Sequence, residues 1–185
     1  MKLHVKPICA GMAFALGALT ACQGGGAEPG NHPQAEQSTS NMKDWKTKLE
    51  ELLPLLGHRN WIVVTDMAYP LQAREGITTL YADGPYADVM AHLVKAVNDS
   101  PHVRPHVYQD LELQDLTDAN CPGIEAYKAE TAKLLKGWDV KAVRHEDLIN
   151  RLDSVSRTFN VVIVKTSLLL PYTSVFLELD CKYWQ

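Results

Sequence analysis

The sequence predicts a single α/β domain, with a mainly parallel sheet and helices on both faces. Three observations carry that expectation. Short β-branched or alternating apolar segments recur along the chain, the clearest being Trp61-Ile62-Val63-Val64. Between them lie segments whose apolar residues repeat at helical spacing. Residues 42–185 amount to 144 positions, enough for one domain around one core.

The elements follow in order. Residues 43–56 place Trp45, Leu49, Leu52, Leu53 and Leu56 on one helical face, and Pro54 loosens the last turn. Gly57 suits a left-handed C-cap. The run from Trp61 to Val64 is too short to bury itself as a helix and reads as a strand, leaving through Asp66-Met67-Ala68-Tyr69-Pro70. Residues 77–81 form a second strand. Asp83-Gly84-Pro85 then opens a helix to about Val97, with Val89, Met90, Leu93 and Val97 inward. Residues 104–113 alternate as a strand. Residues 123–135 are helical, with Ile124, Tyr127, Ala132 and Leu135 as the inner side. A strand at 140–143, a helix at 146–155 and strands at 159–164 and 174–179 complete the pattern. In sheets of this kind ligands gather at strand ends, where the connecting loops meet.

The first 21 residues read as a secretory signal. Lys2 and Lys6 precede a short apolar run over residues 8–19, well short of the roughly 20 residues that a membrane span needs. Leu19-Thr20-Ala21-Cys22 resembles a bacterial lipobox, which implies lipidation of Cys22 and an outer-membrane anchor facing the periplasm. Residues 22–41, rich in Gly, Pro, Ser and Gln, read as a flexible linker. Without Lys2 and Lys6, 16 basic residues face 22 acidic ones, a net charge of −6. That acidity, with no basic stripe, argues against a nucleic-acid partner. Cys121 and Cys181 would remain in the domain, either paired in an oxidising compartment or as two separate buried thiols.

The chain carries no nucleophile elbow, Walker loop, dinucleotide fingerprint or HExxH motif. Its candidates are polar residues at loop positions. His58 and Asp66 flank the first strand, one at each end. An imidazole and a carboxylate suit proton transfer and hydroxyl binding; a capping histidine and an Asx-turn are the structural alternatives. His145, in Arg144-His145-Glu146-Asp147, stands where a strand gives way to a helix, and is either a site residue or a solvated one beside charges that suit the helix dipole. His102 and His106 lie four apart on an extended segment. With no third ligand nearby they read as a wet sheet edge rather than a metal pair. Tyr172-Thr173-Ser174 offers hydroxyls ahead of the last strand, unless Tyr172 simply closes its loop on the core.

These segments, in this order, resemble the D-ribose pyranase / L-fucose mutarotase family. Gly57-His58 and Asp66-Met67-Ala68-Tyr69-Pro70 are similar to its opening. Tyr81-Ala82-Asp83-Gly84, with Asp99 and Pro105 further on, resembles the fucose branch. His145-Glu146-Asp147-Leu148 resembles the ribose branch, and Tyr172-Thr173-Ser174 falls where the family has Tyr-x-Asn. The resemblance implies a monosaccharide isomerase that opens and recloses the sugar ring without metal or cofactor. It implies His58 as the general acid/base, with Asp66, Asp99, Gln109, His145, Tyr172 and Ser174 holding sugar hydroxyls. It also implies a ring-shaped homo-oligomer with sites at subunit interfaces. Two alternatives stand beside it: a non-catalytic sugar-binding lipoprotein of the same fold, and a structural envelope lipoprotein.

Overall fold

The computed structural model describes residues 44–183. The signal peptide, the linker and the lipidated Cys22 expected from the sequence lie outside the described residues. The first element is helix α1 (Trp45–Leu52), capped by Asp44, whose carboxylate accepts the Thr47 N–H at 2.9 Å. Pro54 turns its end into a 3-10 segment, Leu53–Leu55. Strand β1 (Trp61–Thr65), strand β2 (Ile77–Tyr81) and helix α2 (Tyr86–Asp99) follow. Strand β3 (Val103–Asp110), helix α3 (Ile124–Leu134), strand β4 (Val140–Val143) and helix α4 (His145–Val155) come next. Strands β5 (Val161–Lys165) and β6 (Val175–Cys181) complete one six-stranded sheet, ordered β2-β5-β1-β6-β3-β4.

β1 pairs in parallel with β5, β5 with β2, and β3 with β4. Only β6 runs the other way, antiparallel to β1 on one side and to β3 on the other. Five strands therefore end at one edge of the sheet, and β6 begins there. The period-2 alternation of strands sorts the side chains between two layers. Ile62, Val64, Val162, Val164 and Leu177 pack with α1, α2 and α3. Trp61, Val63, Ile163 and Phe176 pack under Leu148 and Leu152 of α4. Each of those leucines is fully buried, which stabilises the fold by about 1.5–3 kcal/mol relative to an exposed side chain.

Several local expectations change. Gly57 is not the left-handed residue: Arg59 is, at φ 72°. The Asn60 side chain accepts the Gly57 N–H at 2.7 Å, and the Asn60 N–H returns to the Gly57 carbonyl, so the turn closes around residues 58 and 59 instead. β3 stops at Asp110 rather than continuing to Leu113, because its neighbours run out: β6 reaches only Gln109 and β4 only Asp110. Leu111–Asp115 is a 3-10 turn. On α3, Thr131 rather than Ala132 is buried. Cys121 and Cys181 are free thiols, the first buried and the second half-buried. His102 is no edge residue, since its ring bridges Ser100 Oγ and the Leu56 carbonyl, both at 2.9 Å. His106 is exposed, beside Asp180 at 3.6 Å.

Gly76 precedes β2 where it meets the end of α4. A Cβ there would lie 2.1 Å from the Ser156 carbonyl oxygen and 3.1 Å from that of Phe159, both backbone atoms that cannot swing aside. Gly76→Ala is expected to destabilise the fold by about 1–3 kcal/mol, read as a lower urea midpoint at unchanged slope.

Candidate functional site

A group of polar side chains gathers where the five parallel strands end. Asp110, the last residue of β3, is almost fully buried at 1% exposure. His145 opens α4, which follows β4 through a single linking residue, Arg144. Adjacent β3 and β4 thus deliver the two side chains to one place. His145 Nδ1–H donates to Asp110 Oδ1 at 2.9 Å, leaving Nε2 for a ligand. The other Asp110 oxygen accepts the Ser174 N–H at 3.4 Å. Glu112 accepts the His145 backbone N–H at 3.0 and 3.3 Å, capping α4 from the 3-10 turn and fixing the histidine's place. Tyr172, itself left-handed at φ 56°, sets its ring edge-on to the imidazole at 5.5 Å. Tyr69 meets the imidazole edge-on at 6.0 Å.

A second network holds the loop that carries Tyr172 and Ser174. The Tyr127 hydroxyl donates to the Thr173 carbonyl at 2.6 Å, and the Tyr86 hydroxyl donates to the same oxygen at 3.4 Å. Thr173 Oγ1 bonds the Leu170 carbonyl at 2.8 Å. Burial pushes the pKa values of both tyrosines up, Tyr127 to about 12, so they stay neutral donors. These bonds tie Thr173, at the middle of the loop, to helices α2 and α3 and to its own backbone. Two hydroxyls on the same side of the sheet are left over. Ser174 Oγ and Thr65 Oγ1 are buried and make no hydrogen bond among the described residues. They are the next residues along β6 and β1 beyond the Val64–Val175 pair.

The hydrogen bond with Asp110 holds the pKa of His145 above the ordinary imidazole value, and burial pushes Asp110 above the usual carboxylate range. The pair thus holds its proton more tightly than free side chains would. Because the folded His145 pKa is raised, its contribution to stability is complete below about pH 6.5, the unfolded value, and fades as pH rises through the folded one. An NMR titration is expected to show the His145 ring protons titrating above pH 6.5. Asp110→Asn is expected to bring that titration down.

Of the residues singled out in the sequence, the structure brings Gln109, His145, Tyr172 and Ser174 to this edge. Asp66 is near it through Tyr69. One of its oxygens is engaged in an Asx-turn, accepting the N–H groups of Ala68 at 2.7 Å and Tyr69 at 3.1 Å. His58 and Asp99 are elsewhere. His58 is exposed in the turn before β1, at the opposite edge of the sheet. The strand between those edges spans about 13 Å at ~3.3 Å per residue, more than a monosaccharide is wide. Asp99 ends α2 at that same far edge and forms an ion pair with Lys95. His58 and Asp66 of one chain therefore cannot hold one sugar together. Asp110, Glu112, Tyr86 and Tyr127 were not singled out as site residues. Asp110 falls inside the strand expected at 104–113, and its partner lies 35 residues away in sequence.

Comparison with solved structures decides the fold. Bacillus subtilis RbsD complexed with D-ribose superposes with a TM-score of 0.54 at 18% identity, covering 72% of this chain and 92% of RbsD. The fold is RbsD/FucU-like. The fucose mutarotase from Streptococcus pneumoniae, in complex with L-fucose, gives 0.51 at 17% identity, covering 72% and 91%. FucU from Bifidobacterium longum gives 0.52 at 14% identity, covering 72% and 94%. No protein-family model matches the chain, and no curated protein matches it in sequence. This chain thus shares the RbsD/FucU-like fold at 14–18% sequence identity.

Proposed function

We propose that this protein binds a monosaccharide and interconverts its anomers or ring forms. The observation that carries the reading is the buried Asp110–His145 pair at the strand-end edge of an RbsD/FucU-like sheet. Ring opening needs one group to give a proton to the ring oxygen and another to take one from the anomeric hydroxyl. His145 Nε2 suits one role, because Asp110 fixes its tautomer and steadies its charge. Tyr172 flanks it, and Ser174 and Thr65 carry unpaired hydroxyls matched to a polyol. The bound D-ribose and L-fucose of the similar structures support a monosaccharide as ligand.

In this reading His58 supplies the second acid/base from a neighbouring copy, since its own chain places it at the far edge of the sheet. A ring of subunits, with sites where they meet, satisfies that requirement. Lipid on Cys22 would hold the assembly at the periplasmic side of the outer membrane, each linker giving its domain reach.

The test is NMR saturation transfer between sugar anomers, with the full chain and a panel of ribose, fucose and galactose. Exchange above the buffer rate, lost in His58→Ala, supports the composite site. Exchange unaffected by His58→Ala removes His58 from the reaction. Binding without exchange would make the protein a sugar-binding relative, with Ser174 standing where the resemblance expects asparagine.

A further inference from the structure

Two adjoining cavities, an outer one of about 340 Å³ lined by His58 and an inner one of about 300 Å³ lined by Trp61, share Arg59 and Glu178 as walls. Arg59 occupies the left-handed region at φ 72°, where a side chain is disfavoured and glycine or asparagine is usual. Its backbone is locked there by a 2.7 Å hydrogen bond to the Leu179 carbonyl. Its guanidinium lies 4.5 Å from the centre of the Phe159 ring and has no carboxylate partner among the described residues. Lys141, in the outer cavity, is likewise unpaired there.

The acids in these walls are already engaged. Glu178 accepts the Tyr108 hydroxyl at 2.9 Å and Arg151 at 3.0 Å. Asp180 accepts Arg104 at 3.1 Å, with His106 at 3.6 Å. Arg151 in turn lies 5.0 Å over Trp61. Trp61 lines the inner cavity at 0% exposure, and its indole N–H, fully buried, has no hydrogen-bond partner among the described residues. Ser154 and Thr158 add hydroxyls to the same walls. The free groups are thus donors and cations, within a domain whose sequence is acidic overall. A neutral polyol needs donors and acceptors in balance; an excess of donors and positive charge matches an oxyanion.

We propose that the cavities around Arg59 take the oxyanion of an anionic monosaccharide, a uronate carboxylate or a sugar phosphate. The sugar as bearer rests on the anomer-exchange reading, with Arg59 adjoining His58 in the same composite site; the oxyanion site itself does not. Arg59 then sets substrate class, which accounts for an arginine held where the backbone disfavours it.

The experiment follows the Trp61 indole N–H by NMR in the full chain. Inorganic phosphate, glucose 6-phosphate, glucuronate and glucose are titrated in turn, with anomer exchange recorded in the same samples. Arg59→Gly fits the left-handed turn and keeps the fold while removing the charge; Arg59→Lys keeps the charge. The expected result is a shift of the indole signal with anionic probes and not with glucose, an affinity at least tenfold weaker in Arg59→Gly, and partial recovery in Arg59→Lys. Response to phosphate and glucose 6-phosphate alone assigns the phosphate; response to glucuronate alone assigns the carboxylate. Equal response to glucose, or no effect of Arg59→Gly, overturns the proposal. Exchange of neutral sugars without oxyanion binding overturns it and leaves the mutarotase reading standing. Oxyanion binding without exchange of any sugar does the reverse.

Discussion

His145→Gln is expected to slow anomer exchange by about 10²–10⁴-fold, the range by which positioned acid/base groups accelerate proton transfer. Glutamine keeps a hydrogen-bonding group near Asp110 but cannot shuttle a proton. Binding of the sugar should fall much less than turnover. Asp110→Asn separates the roles further. It keeps the shape of the pair and removes the charge, so His145 loses the partner that fixes its tautomer and raises its pKa. Exchange should drop, and its dependence on pH should shift toward acid together with the His145 titration. If His145→Gln leaves exchange intact while His58→Ala abolishes it, the acid/base role belongs to the other edge of the sheet. Asp110 would then be a structural cap. Saturation-transfer rates across pH 5–9 separate these outcomes.

Phe176→Ala is expected to destabilise the domain by about 3–5 kcal/mol, the usual cost of removing a buried aromatic side chain. Phe176 is fully buried in the layer under α4 and contacts Tyr69 at a ring separation of 6.4 Å. It stands in the register between β1 and β3, opposite Val63 on one side and Tyr108 on the other. The void would therefore touch three strands, and also the tyrosine that flanks His145. Urea unfolding should show a lower midpoint at unchanged slope. Phe176→Leu, which restores most of the volume, should cost about 1.5 kcal/mol or less. A loss near zero in Phe176→Ala would mean that this layer collapses onto the gap and is far softer than its burial implies.

How much of this was legible in the sequence depends on the range of each interaction. Strands and helices were readable because their apolar periodicity is local: 140–143 and 77–81 fall where β4 and β2 do. The strand at 104–113 was over-extended because Leu111 and Leu113 keep the alternation after the pairing partners end. Gly57 drew the left-handed position because glycine tolerates it; a contact with Leu179, far away in sequence, placed Arg59 there instead. His58 and Asp66 looked like a pair because they bracket one strand, yet a strand holds its two ends apart. Asp110 and Glu112 carried no signal: what marks them is His145, which a parallel β3–β4 neighbour brings beside them. The reversed direction of β6 was equally silent, though it is what sets Tyr172 and Ser174 against His145.

That reversal has a consequence for how the chain is made. β6 is the last strand in sequence, yet it sits between β1 and β3 in the sheet. Without it, the pairing would leave two separate slabs, β2-β5-β1 and β3-β4. Its partners on β1 are more than a hundred residues back along the chain. Closing so long a loop is slow, and the apolar edges of both slabs are exposed to unwanted partners meanwhile. The strand that joins the two slabs is also the one whose entry sets Tyr172 and Ser174 beside the His145–Asp110 pair. A chain lacking β6 is expected to have neither a closed sheet nor the Ser174–Asp110 contact, so the sheet's closure and the site's geometry stand or fall together.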